Sequence, residues 1–181
     1  MKKRNLVAKI KVPEGVKVEV EGKTVKVKGK RSEHQRTFIC PGMKIELQDN
    51  FIVLNVDNAR KSDKTAIGTT EAHLKNMMKG ASEGHLYRLK ICSGHFPMNV
   101  SMSGNEFIIS NFLGEKTPRK LRIKDGATVK LNGTEVVVES TSKETAGQVS
   151  ADIETLAKVR GRDKRIFQDG IYIVYKDGKE M

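Results

Sequence analysis

Lys158, Arg160, Arg162, Lys164 and Arg165 crowd into eight consecutive positions near the end of the chain. Gly161 interrupts them, and an apolar run of Ile166, Phe167, Ile171 and Ile173 follows. Cations this dense suit one chemistry: they neutralise the phosphates of a nucleic-acid backbone and set its register. The apolar run reads as a folded strand anchoring the cluster, which separates it from a loose basic tail. A lone charge run is more often the solvated end of a helix, so the rest of the chain must decide.

A second set of such residues lies upstream. Asn111-Phe-Leu-Gly-Glu-Lys116 leads into Arg119, Lys120 and Arg122, and His95-Phe-Pro-Met-Asn99 precedes it. Each segment puts a Gly, Pro or Asn bend beside an apolar residue and a polar group. These segments serve equally well as turns fixing a sheet edge or as holders of backbone amides and cations toward phosphates.

Other chemistries fail on spacing. Gly22-Lys23-Thr24 resembles the end of a phosphate loop, but Lys17 stands where that loop needs glycine. The triplet also lies between two strands rather than ahead of a helix. Gly29-Lys30-Arg31 fails for the same reasons. Cys92-Ser-Gly-His95 is the one short-spaced ligand pair, and a structural zinc needs two. A buried Cys92 and a surface or phosphate-contacting His95 are expected instead, with no metal or cofactor. His34, His73, His85 and His95 have no nucleophile context around them, so no catalytic site and no small-molecule substrate are expected.

Bulk composition agrees with a polyanionic partner. In 181 residues, 34 Lys and Arg oppose 22 Asp and Glu, giving +12. That excess repels itself in the compact state and favours polyanions. Divided after Gly84, both halves remain cationic, so neither is a detached basic arm. Cys40 and Cys92 make no disulfide framework, and free thiols fit a reducing cytoplasm. Met1-Lys-Lys-Arg4 precedes alternating apolar and charged residues rather than the apolar core of a signal peptide. No run approaches a membrane span. Six Phe, three Tyr and no Trp argue against a base-stacking platform for single strands.

The elements that must position these residues come in two copies. Val12-Pro-Glu-Gly-Val16 matches Phe96-Pro-Met-Asn-Val100, and Gly22–Val27 resembles Gly104–Ile109. Ile45, Leu47, Ile52 and Leu54 fall on Val129, Leu131, Val136 and Val138. Within each copy the front half alternates like strands, with turns at Gly22-Lys23, Asp49-Asn50 and Asn132-Gly133. The back half switches to helical spacing at Ile67, Glu71, Leu74 and Met78, and at Ala146, Val149, Ile153 and Leu156. Thr141 or Ser142 would cap the second helix. The expected fold is α+β: two tandem similar domains, each an antiparallel sheet of four strands with one helix packed on a face. The first would cover 1–82 and the second 83–181, hinged at Gly80-Ala-Ser-Glu-Gly84, with Gly170–Tyr175 as a closing strand.

His95-Phe-Pro, Asn111-Phe-Leu-Gly-Glu-Lys116 and Arg162-Asp-Lys-Arg-Ile-Phe-Gln-Asp-Gly-Ile-Tyr172, laid on this repeat, resemble the universal large-subunit ribosomal protein six family. The likeness is to the branch shared by archaea and eukaryotes, and it covers nearly the whole chain. It implies no catalysis, and binding to large-subunit ribosomal RNA near the sarcin–ricin loop and the base of the factor-binding stalk. It also implies neighbouring ribosomal proteins as partners and a cytoplasmic, ribosomal location. The competing reading is a general DNA- or RNA-packaging, nucleoid-type protein.

Overall fold

The structure, a computed structural model, describes residues 5–181; the expectation for Met1–Arg4 lies outside them. Its contacts divide between Gly84 and His85 into two compact units. The first holds β1 (Leu6–Lys11), β2 (Lys17–Glu21), β3 (Thr24–Lys28), β4 (Glu33–Thr37), β5 (Met43–Gln48) and β6 (Phe51–Val56), then α1 (Lys61–Ser82). These six strands make two antiparallel sheets, β1-β6-β5 and β2-β3-β4. The expectation of four strands before each helix was therefore too low. β4 reads Glu-His-Gln-Arg-Thr and has no apolar alternation to betray it. Its place comes from pairing with β3, Val27 opposite His34 and Val25 opposite Arg36.

The strands that were legible form as their alternation requires. Val25 and Val27 are fully buried and Val18 nearly so, while Lys17, Glu19 and Glu21 stay exposed. Gly22 turns the chain at φ +62° and Asp49 at φ +50°, left-handed conformations that suit Gly and are tolerated by Asp. On α1, Ile67, Leu74 and Met78 are buried. The helix also buries Gly80 and Ala81, so the expected hinge over Gly80–Gly84 is largely helix. Glu83 N–H and Gly84 N–H both donate to the Lys79 carbonyl, at 2.8 and 3.1 Å. Gly84 at φ +87° ends the helix in the left-handed way that glycine favours.

The second unit repeats the plan. It comprises β7 (His85–Cys92), β8 (Asn99–Ser103), β9 (Glu106–Ser110), β10 (Arg119–Arg122), β11 (Ala127–Asn132), β12 (Glu135–Ser140) and α2 (Lys143–Leu156). β13 (Gly170–Lys176) and β14 (Lys179–Glu180) follow. Sheet order β8-β9-β10 mirrors β2-β3-β4, and β7-β12-β11 mirrors β1-β6-β5. The pairs Ile45–Leu54 and Leu47–Ile52 recur as Val129–Val138 and Leu131–Val136. Ser142 caps α2 by accepting from Thr145 N–H at 3.4 Å. What the second unit adds is β13, antiparallel to β7 inside a five-stranded sheet β11-β12-β7-β13-β14. Among the described residues no helix is long and apolar enough to cross a membrane.

Candidate nucleic-acid interface

The basic cluster is a loop. β13 begins only at Gly170, and Lys158–Asp169 bridges it from α2. Ile166 and Phe167 therefore lie outside the strand they were expected to open, and Ile166 is 63% exposed. Ile166 N–H and Phe167 N–H both donate to the Asp163 carbonyl, at 3.2 and 2.9 Å, which winds this stretch into a tight turn. Strand alternation starts with buried Ile171. Lys158, Arg160, Arg162, Lys164 and Arg165 are all exposed. Lys158, Arg160, Arg162 and Lys164 form no ion pair among the described residues, whereas Arg165 is paired with Asp163 at 2.8 Å.

Buried residues anchor this loop from both ends. Val159 is 5% exposed and belongs to the core of the unit. At the other end the buried carboxylate of Asp169 accepts Gly94 N–H at 2.6 Å and His95 N–H at 3.0 Å. Asp169 also accepts from His95 Nδ1 at 2.5 Å. Burial pushes the Asp169 carboxyl up, but the hydrogen bonds from His95 and Gly94 outweigh it and hold it below the usual range. An ionised Asp169 fixes the proton on His95 Nδ1 and leaves Nε2 as the other functional edge of the ring. The imidazole stacks on Phe167 at 4.7 Å, and the Arg162 guanidinium lies over the same Phe167 ring at 4.8 Å. A depressed folded-state pKa contributes stability above the ordinary carboxylate pKa and loses it as pH falls through the lower folded value. Amide exchange at Gly94 and His95, taken relative to its intrinsic rate, should therefore stay slow at neutral and mildly acid pH and quicken only once pH falls below the ordinary carboxylate range. Asp169→Asn should bring that fast exchange to pH 7.

Asn111–Lys116 packs against the His95 segment. Asn111 Nδ2 donates to the Pro97 carbonyl at 3.0 Å, and a Cβ on Gly114 would sit 3.7 Å from the Phe96 ring. Asn111, Leu113 and Gly114 all take positive φ, at 58°, 50° and 81°. That is unremarkable for Asn and Gly and strained for Leu113. Within β10, side chains alternate: Lys120 and Arg122 are exposed while Arg119 and Leu121 are half-buried.

Arg119 is already engaged, unlike its neighbours. Its Nε and Nη2 grip both Glu115 carboxylate oxygens at 2.8 and 2.6 Å. Nη1 donates to the Leu156 and Lys158 carbonyls at 2.7 and 3.1 Å, satisfying one carbonyl that the end of α2 leaves open and one of the loop that follows. The guanidinium also covers Phe112 at 4.2 Å. Arg119 thus ties β10 to the start of the basic loop. Arg119→Ala should lower stability by roughly 2–3 kcal/mol, and Arg119→Lys should rescue little because an ammonium cannot reproduce the fork. Urea unfolding of the three proteins checks this.

The segments singled out in the sequence are therefore joined pairwise in the second unit: 158–169 to 93–95, 96–97 to 111–114, and Arg119 to both α2 and the loop. Lys116 is exposed beside this assembly. Asp169 and Val159 had no assigned role, and Phe167 was read only as part of the anchoring strand; the sequence signal for Asp169 was Asp169-Gly170 opening an alternating run. Cys92 is half-buried rather than buried. Among the described residues no three His, Cys, Asp or Glu side chains gather as a metal site would require.

The ribosomal protein L6 family model matches residues 12–84 and again 96–170, one match per unit. The chain belongs to that family. The family is one of structural, non-catalytic ribosomal proteins. Among its relatives, the large ribosomal subunit protein uL6 of Methanococcus vannielii is 47% identical over 95% of this chain and 94% of its own. The uL6 of Methanosarcina mazei is 44% identical, covering 92% and 95%. That of Methanobrevibacter smithii is 42% identical, covering 93% and 94%. These matches place the chain in the archaeal and eukaryotic branch of the family.

Proposed function

We propose that this protein is a structural component of the large ribosomal subunit that clamps folded rRNA through its second unit. Lys158, Arg160, Arg162 and Lys164 neutralise phosphates from the loop, with Arg165 alongside once it leaves Asp163. Lys116, Lys120 and Arg122 supply a second edge, His95 offers its Nε2, and Arg119 positions the loop. Recognition is chiefly of backbone shape, because A-form RNA hides its base edges in a deep groove. The observation that carries this reading is the anchoring of four unpaired cations on a loop pinned by Val159 and Asp169. The backbone that carries those cations therefore has little freedom left to lose on binding.

The finer placement, near the sarcin–ricin loop and the base of the factor-binding stalk, belongs to the same proposal, as do neighbouring ribosomal proteins as partners and a cytoplasmic site of action. The test is co-sedimentation with large ribosomal subunits after a high-salt wash, followed by hydroxyl-radical footprinting of the rRNA. Protection centred on the sarcin–ricin region is expected, and excess duplex DNA should not displace the protein. Release by DNA would favour a packaging protein instead.

A further inference from the structure

Beside the phosphate-binding loop lies a cavity of about 260 Å³ with Val159, Phe167 and Tyr172 among its lining residues. Lys158 and Lys164 line it as well, and Glu154 reaches it from α2. Pockets for drug-sized ligands run from roughly 300 Å³ upward, so this one has room for a single small ring system. Its aromatic walls are held in place. Phe167 is stacked on His95 and covered by Arg162. The Tyr172 hydroxyl donates to the Gln168 and Asp169 carbonyls at 3.2 and 3.4 Å. Tyr172 lies so close to Gly170 that a Cβ there would stand 3.0 Å from its ring. The ring nevertheless remains 42% exposed.

We propose that this cavity is a nucleobase pocket that takes one unpaired guanine swung out of the bound RNA. The inference rests on the RNA-binding reading above and adds a contact that phosphate neutralisation does not supply. Three features of the cavity match three parts of a nucleotide. Tyr172 offers aromatic surface of the kind on which splayed-out bases stack, and Phe167, whose faces are taken by His95 and Arg162, adds only its edge to the wall. Lys158 and Lys164 stand where the flanking phosphates of an extruded base would need cations. Glu154 selects the base. One of its oxygens receives only a long, 3.4 Å bond from Ile173 N–H, so acceptor capacity remains. Guanine is the base whose Watson–Crick edge presents two adjacent donors, N1–H and the N2 amine, to a carboxylate. An apolar side chain from a neighbouring protein is a poorer match, because it would make no use of the open Glu154 oxygen or of either lysine.

The experiment uses the full-length protein and four RNA hairpins: one fully paired, and three carrying a single-nucleotide bulge of guanosine, adenosine or an abasic residue. The guanosine bulge should bind about tenfold more tightly than the abasic bulge, within the range of base–aromatic stacking. Tyr172→Leu should erase that preference while leaving the affinity for the paired hairpin and its salt dependence at wild-type values. Glu154→Gln should remove the preference for guanosine over adenosine and keep that for a base over none. Equal affinity of the wild type for guanosine and abasic bulges, or a preference that survives Tyr172→Leu, would overturn the pocket while leaving the RNA-binding reading standing. Failure to bind any of the hairpins would overturn both.

Discussion

Replacing Lys158, Arg160, Arg162 and Lys164 together by Ala should flatten the slope of log K against log[salt] by about 3–4 units on a large-subunit rRNA fragment, at roughly 0.7–0.9 per phosphate contact released. These four cations are exposed and unpaired; Lys158 directly precedes the buried Val159, and the other three lie between it and the buried Asp169. The loop itself should survive the change, since its anchors are Val159, Asp169 and the Arg119 fork rather than the charges removed. The matched control replaces Lys17, Lys23, Lys26 and Lys28 in the first unit. There Lys26 is tied to Glu21 at 2.9 Å and Lys28 to Glu33 at 3.6 Å. The hydrogen bond and charge of Glu21 hold the Lys26 ammonium above its ordinary pKa. Carboxylates interleaved on the same strands offset these lysines, so the slope should change much less. An equal loss of slope in both variants would mean that the grip is spread over the whole cationic surface.

Gly29→Ala should destabilise the first unit by about 3 kcal/mol or more, the upper end of what overpacking costs. Gly29 follows β3 directly, and a Cβ there would fall 2.2 Å from the Ala81 carbonyl oxygen and 2.5 Å from its carbon. Both are backbone atoms of the last turn of α1, and Ala81 is fully buried, so no flexible side chain can swing away. The same carbonyl accepts Arg31 N–H at 3.0 Å. Moving the β3–β4 turn outward would break that bond and uncover one of the open carbonyls at the helix end. Gly22→Ala is the informative control: nothing lies within 4 Å of its Cβ, but φ is +62°, so only the left-handed penalty of roughly 1–2 kcal/mol applies. All three tyrosines lie in the second unit, so their fluorescence is blind to this change. Amide exchange in β3 and β6 measures it instead. A cost no greater than that of Gly22→Ala would show that the turn can lift away freely.

Local physics carried much of the architecture. Alternation at Val18, Val20, Val25 and Val27, helical spacing at Ile67, Leu74 and Met78, and turn residues at Gly22 and Gly133 report burial directly. A side chain's neighbours one or two turns away set those patterns. The duplication was legible for the same reason, since paired β5–β6 and β11–β12 positions must be apolar in step. β4 and β10 were invisible because their polar residues are held by ladder hydrogen bonds to β3 and β9, which leave no trace in composition. The basic loop divides along the same line. Its charge density was plain from residues 158–165, and its attraction to phosphate follows from that alone. Which cations remain available was decided by the folded loop, through the near pairs Asp163–Arg165 and Glu115–Arg119 and through contacts distant in sequence. The Leu156 carbonyl of α2 and the Lys158 carbonyl of the loop claim Arg119 together with Glu115, Asp163 claims Arg165, and Asp169 reaches back to Gly94 and His95. Those partners lie up to 75 residues apart, and no local pattern encodes which of several equivalent side chains a fold will use to close its own loops.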